Sequence, residues 1–275
     1  MPTPRPAADN SEFPFGDYLY DPARRLVCAA IPKNACTDLK HWFLSLIEPE
    51  KLADPGLRLH AYVRATHALA RLPRGEIEAA LRDSFVFAFV RDPLSRVVSA
   101  YVEKFCRPAP GELFEPAREV IAQVAGGGGA EGISFRQFVR FLSDAADEQM
   151  DPHWRPQGAF VRDVRIDLLA RVESSSRVLD ELSSELGVAP RGESRRNATG
   201  YTPALGRCFA DFPSGELYAQ GLLPPSVDLY DEELRAMVLA RFGEDAALYA
   251  AAVQGLTPGA REVLRERGVA GRVMG

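Results

Sequence analysis

The sequence predicts a three-layer α/β protein built on a mostly parallel sheet. Two apolar runs, Leu26–Ile31 and Phe85–Val90, are short and unbroken, as strands covered on both faces should be. Each leads at once into a tight turn and then into a segment whose apolar residues recur at helical spacing. A third strand–helix pair follows at Asp167–Gly187, and strands alternating with helices are the signature of a parallel sheet with helices on its two faces.

In chain order, residues 1–20 are rich in proline and polar groups and are expected to form an extended segment wrapping the surface. Leu26–Ile31 is the first strand, stopped by Pro32. The helix after it places Leu39, Trp42, Phe43, Leu46 and Ile47 on one face and runs to Glu48, ahead of Pro49. A helical stretch from Leu59 to Ser84 is broken at Pro73.

Phe85–Val90 is the strongest strand, ended by Arg91. Asp92 suits a helix N-cap and Pro93 the first helical position. Leu94, Val97, Val98, Tyr101, Val102 and Phe105 then form one apolar stripe, which makes Tyr101 and Phe105 core residues. Gly126–Gly129 reads as a loop. Ser134 and Gln137 form a capping box ahead of a helix carrying Phe135, Phe138, Val139 and Leu142. Asp151–Gln157 is a compact loop with two prolines, Asp167–Val172 a strand, and Ser174 the N-cap of the next helix. A basic stretch, Arg195–Tyr201, precedes a helix over Asp231–Phe242 with Gly243 as its stop. No repeat or linker divides the chain, so residues 1–275 are read as a single domain.

Composition narrows the function classes. A net charge of −5 offers no general surface for a polyanion, so a nucleic-acid partner is not expected and any anion site must be a local pocket. Of the 33 basic residues only Lys33, Lys40, Lys51 and Lys104 are lysines. The arginine and alanine bias points to a GC-rich, bacterial genome, against which two lysines beside one turn stand out. The N-terminus has no signal-peptide core and no apolar run reaches about eighteen residues, so the expectation is a cytoplasmic protein without a membrane segment. Cys28, Cys36, Cys106 and Cys208 make no C-x-x-C pair, and no carboxylate pair adjoins the turn, so no metal is expected.

The chemistry is concentrated in the two strand–turn–helix units. In the first, Lys33-Asn34-Ala35-Cys36-Thr37 combines backbone N–H groups at a positive helix start with a lysine, which suits a phosphate. Its turn contains no glycine and its lysine comes first, so it is not the G-x-x-x-x-G-K-[ST] loop of nucleoside-triphosphate enzymes. In the second, Arg91 can fork onto a phosphate and Ser99, two helical turns on, can add a hydroxyl. Ligands of parallel sheets sit beyond the carboxyl ends of the strands, so the two turns suit one ligand with two anionic groups.

IPKNACTDLK resembles the 5′-phosphosulfate motif of the carbohydrate sulfotransferases related to chondroitin 4-sulfotransferase and heparan 2-O-sulfotransferase, and FVRDPLSRVVSAYVEKF resembles their 3′-phosphate motif. HWRPQ, RRNATGYT and LYDEELRAMVLARFGEDAALY are similar to later parts of the same family, in the same order. The resemblance implies a P-loop-like architecture and 3′-phosphoadenosine-5′-phosphosulfate (PAPS) as sulfuryl donor, with 3′-phosphoadenosine 5′-phosphate (PAP) as product. It implies transfer to an acceptor hydroxyl or amine, on a glycan, a glycolipid or a small metabolite. Lys33 would stabilise the leaving 5′-phosphate together with the turn residues Asn34, Ala35, Cys36 and Thr37. Arg91 and Ser99 would hold the 3′-phosphate, and Arg196 and Thr199 the nucleotide. The family's base histidine falls between the two motifs, where both His60 and His67 lie, with His60 favoured; His153 would position the acceptor. An ATP-dependent phosphotransferase and a non-catalytic nucleotide-binding module are the alternatives.

Overall fold

The computed structural model describes residues 13–125, 131–188 and 200–267. Its strands are β1 (Tyr18–Asp21), β2 (Leu26–Ala29), β3 (Phe85–Val90) and β4 (Leu168–Arg171), forming one sheet in the order β1-β2-β3-β4. The helices between and after them are α1 (Cys36–Ile47), α2 (Leu59–His67), α3 (Arg74–Asp83), α4 (Pro93–Tyr101), α5 (Glu115–Ala125), α6 (Phe135–Asp144), α7 (Gly158–Val161) and α8 (Ser175–Glu185). The last are α9 (Ser214–Ala219), α10 (Ser226–Leu229), α11 (Glu232–Arg241), α12 (Gly243–Ala251) and α13 (Pro258–Glu266). The fold is α/β with a mostly parallel sheet: β2, β3 and β4 run parallel, and β1 pairs antiparallel to β2.

Two compact units divide the chain. The first takes in described residues 13–91, 157–188 and 248–267 and holds the whole sheet. Its layering follows from the period-two alternation of β3. Phe85, Phe87 and Phe89 face Leu39, Trp42 and Phe43 of α1, Val178, Leu179 and Leu182 of α8, and Leu264 of α13. Val86 and Ala88 face Ile77 and Ala80 of α3 and Phe160 of α7 on the other side. Burial of each phenylalanine contributes about 1.5–3 kcal/mol, which makes β3 the spine of this unit. The Trp42 ring meets Phe87 edge-on at 5.8 Å, and its indole N–H donates to Ser183 Oγ at 2.9 Å. Left unpaired in that core, the N–H would cost about 1–3 kcal/mol.

β1 lies within the stretch expected to wrap the surface, yet Tyr18 and Leu19 are fully buried. It is an edge strand returned to β2 through a turn that Asp21 organises, its carboxylate accepting from the Ala23 and Arg24 amides at 3.0 and 3.2 Å. Four residues of strand within a proline-rich segment give no alternation long enough to read.

The second unit takes in described residues 92–125, 131–156 and 200–247 and is helical. Its core gathers Tyr101, Phe105, Phe135, Phe138 and Trp154, so the two α4-stripe aromatics are core residues as expected. Burial pushes the Tyr101 hydroxyl well above its ordinary range, and it donates to the Ile133 carbonyl. α4 itself ends at Tyr101, and Val102–Cys106 continues as a π-helical turn, which the apolar spacing does not distinguish from an α-helix. Gly243, expected as a helix stop, is the first residue of α12.

The Asp92 cap is present, its carboxylate accepting from the Ser95 amide at 2.8 Å. Asp92→Ala is expected to cost about 1 kcal/mol, a drop of about 2–4 °C in melting temperature for a chain of this size. A thermal melt of the variant checks this; an unchanged midpoint would mean that the cap contributes nothing.

Candidate functional site

The two turns that follow the parallel strands β2 and β3 lie in the first unit and are joined to each other. After β2, the backbone takes left-handed conformations at Lys33 (φ 71°) and Ala35 (φ 56°), with no glycine at either place. Each such residue costs on the order of 1–3 kcal/mol and persists only where surrounding contacts over-determine it. Asn34, between them, supplies those contacts. It is buried, its N–H bonds the Ile31 carbonyl at 3.2 Å, and its side-chain amide donates to the Phe89 carbonyl at 2.9 Å and to Gln157 Oε1 at 2.6 Å. The result is a tight turn that delivers the chain into α1 with Ala35 at the N-cap, where no side chain caps the helix. A helix start of this kind is an electropositive cradle of N–H groups.

After β3, Arg91 sits half-buried with both backbone groups held by one side chain: Gln157 Oε1 accepts its N–H at 2.8 Å and Gln157 Nε2 donates to its carbonyl at 2.9 Å. The Arg91 guanidinium reaches back to the Lys33 carbonyl at 3.3 Å. Lys33 and Arg91, the two cations expected to take two anionic groups, therefore belong to one hydrogen-bonded assembly.

The structure separates the two histidines of α2. His60 Nε2 lies 3.0 Å from Thr37 Oγ1 and its Nδ1 lies 3.3 Å from Lys40 Nζ. An ammonium only donates, so Nδ1 is the accepting nitrogen and Nε2 carries the proton, which it donates to Thr37. In this arrangement the Thr37 oxygen is the acceptor of the His60 contact. Lys40 is buried, 4.0 Å from the Asp17 carboxylate. His67, by contrast, faces Glu48 at 3.4 Å and packs edge-on against Phe43 and Tyr62. Thr37 and Glu48 mark opposite ends of α1, about 16 Å apart along a helix rising about 1.5 Å per residue. His60 thus joins the turn and His67 does not.

Cys36, in the turn, is half-buried, whereas Cys28 lies in the core where burial pushes its thiol far up, as suits an inert packing residue. His41 is half-buried on α1.

In the second unit Ser99 is buried on α4. His153 Nδ1 sits 2.6 Å from the Asp151 carboxylate, which only accepts, so Nδ1 carries a proton. The loop carrying this pair is braced from below: buried Arg96 donates to the Arg155 and Pro152 carbonyls at 2.8 and 3.2 Å, and buried Arg155 donates to the Met150 carbonyl at 2.7 Å. Burial lowers the Arg155 pKa. Arg196 and Thr199 lie outside the described residues.

Sequence reasoning named the turn residues but missed three that hold them. Lys40 carried a signal, as one of the few lysines in an arginine-biased chain. Gln157 carried a weaker one, closing the HWRPQ stretch. Asp17 carried none.

Comparisons with known proteins bear on the same segments. Residues 16–249 match the sulfotransferase family. Carbohydrate sulfotransferase 14 of Homo sapiens is 33% identical over 140 residues, 48% of this chain and 36% of that protein. Carbohydrate sulfotransferase 14 of Danio rerio is 31% identical over 145 residues, 50% of this chain and 39% of that protein. Carbohydrate sulfotransferase 11 of Rattus norvegicus is 27% identical over 154 residues, 50% of this chain and 43% of that protein. The chain thus spans less than half the length of these relatives. No solved structure matches it.

Proposed function

The chain belongs to the sulfotransferase family, and from that premise we propose that it transfers a sulfuryl group from PAPS to a hydroxyl on a glycan or glycoconjugate. The observation that supports this reading is the joined pair of turns: Lys33 and Arg91, after adjacent parallel strands, are tied by a direct guanidinium–carbonyl bond and through Gln157. Two cations on a shared rigid frame suit a nucleotide with phosphate groups at both the 5′ and 3′ positions. A triphosphate reading has no such support, since the turn lacks the glycines that let backbone wrap a polyphosphate.

In this reading Lys33 and the N–H groups at the start of α1 meet the 5′-phosphosulfate, where negative charge grows on the bridging oxygen as the S–O bond breaks. Thr37, its oxygen already engaged by His60, donates its hydroxyl proton to the same group. Arg91 takes the 3′-phosphate, and so governs affinity and register more than turnover. His60 takes the acceptor's proton as the acceptor oxygen bonds to sulfur and PAP leaves. A base requires the neutral form of the ring, with one nitrogen able to accept the proton.

Calorimetry with PAP and with ATP tests the donor class. PAP is expected to bind at least about tenfold more tightly, the effect of one charge-assisted contact to the 3′-phosphate. Tighter binding of ATP would overturn the reading in favour of a phosphotransferase.

A further inference from the structure

The structure assigns to Gln157 the role of a rigid spacer that sets the distance between the two anion-holding turns, and so makes the site selective for a ligand with two anionic groups. Gln157 is wholly buried, and its amide hydrogen-bonds to the Asn34 side chain and to both backbone groups of Arg91. Their chemistry leaves one orientation: the Arg91 N–H can only donate, so the atom facing it is Oε1, and the Arg91 carbonyl can only accept, so the atom facing that is Nε2. Pairing both backbone groups of one residue, the side chain acts as an added rung of strand at the end of β3. Its Oε1 also accepts from Asn34, the residue between the two left-handed positions of the other turn. One planar group therefore fixes the end of β3 and the turn after β2 at once.

A second feature points the same way. Asn34 is buried, and both acceptors it serves are met by its NH2 group, which commits Oδ1 to the opposite direction; that oxygen has no hydrogen-bond partner among the described residues. A buried acceptor in this condition is destabilising, so the arrangement holds a position at the expense of stability. Asn34 and Gln157 together are positioning residues for Lys33 and Arg91, which touch the ligand. The assignment rests on the donor reading above for the identity of the ligand, though not for the existence of the bridge.

The experiment compares PAP with 5′-AMP, which lacks the 3′-phosphate, on wild type and on Gln157→Leu. In wild type the ratio of affinities is expected to be about tenfold to about a hundredfold, the value of one or two charge-assisted bonds. In Gln157→Leu the ratio is expected to fall below about threefold while 5′-AMP affinity changes by less than about threefold, because each turn still binds but no longer at a matched spacing. Gln157→Glu keeps both accepting contacts but sets an accepting oxygen against the Arg91 carbonyl in place of the donor, so it too is expected to lower the ratio below wild type, and it serves if the leucine variant does not fold. Hydrogen exchange at the Arg91 amide, in the absence of ligand, is expected to quicken at least tenfold in the leucine variant. An unchanged ratio in a folded variant, or an equal loss for both nucleotides, would overturn the spacer role. A wild type indifferent to the 3′-phosphate, with Arg91 exchange still quickened in the variant, would overturn the donor reading and leave the bridge standing.

Discussion

Lys33→Ala is expected to lower turnover by about a hundredfold to a thousandfold while raising the dissociation constant of PAP by no more than about tenfold. The first figure is the effect of removing one preorganised group that faces charge developing in a transition state. The second is small because the ground-state phosphate is met by other donors as well. The substitution isolates the side chain because the backbone of this turn does not depend on it: the turn is held through Asn34, and the Lys33 carbonyl is held by Arg91. Lys33→Arg is not expected to restore activity, since a bulky planar fork replaces a compact charge where the backbone already sits at φ 71°. Single-turnover rates with labelled PAPS, set beside calorimetric PAP binding, measure both figures. Equal losses in rate and affinity would show Lys33 to be a binding residue only.

What made the turn legible was its position: a run of apolar residues, a proline, a lysine and a helix stripe follow one another without a gap. β3 was legible for the same reason, since FVFAFV is apolar at every position and only a strand buried on both faces needs that. The left-handed backbone at Lys33 and Ala35 was not legible, because the usual marker of positive φ is glycine and here asparagine contacts impose it on residues that resist it. Gln157 was hidden by distance along the chain. Its partners are Asn34 and Arg91, 123 and 66 residues away, and a glutamine closing a loop carries no local pattern. β1 was missed because a four-residue edge strand in a proline-rich segment derives its order from β2, not from its own sequence.

The choice between His60 and His67 shows the limit most plainly, and it sets the other large effect. The two lie seven residues apart on α2, nearly two full turns, so helical periodicity places them on the same face and cannot rank them. What ranks them is the packing of α2 on α1, which delivers His60 to Thr37 and Lys40 and His67 to Phe43 and Glu48. His60→Ala is accordingly expected to lower kcat by at least about a hundredfold, the lower end of what a general base contributes. His67→Ala is expected to change kcat by less than about threefold, with its effect appearing as a lower melting temperature through the lost ring contacts. On the proposed reading the His60 loss has two parts: the acceptor proton has no imidazole to receive it, and Thr37 loses the ring beside its hydroxyl. His60→Gln separates these, because the amide can still donate to Thr37 but cannot take a proton. It is expected to match the alanine variant in kcat while keeping PAP affinity within about threefold of wild type. Sulfate transfer from labelled PAPS to a panel of glycans, run on the three variants, supplies the rates. A large loss in His67→Ala with His60→Ala nearly unaffected would reverse the assignment, and recovery of kcat in His60→Gln would make His60 a positioning residue for Thr37 in place of the base.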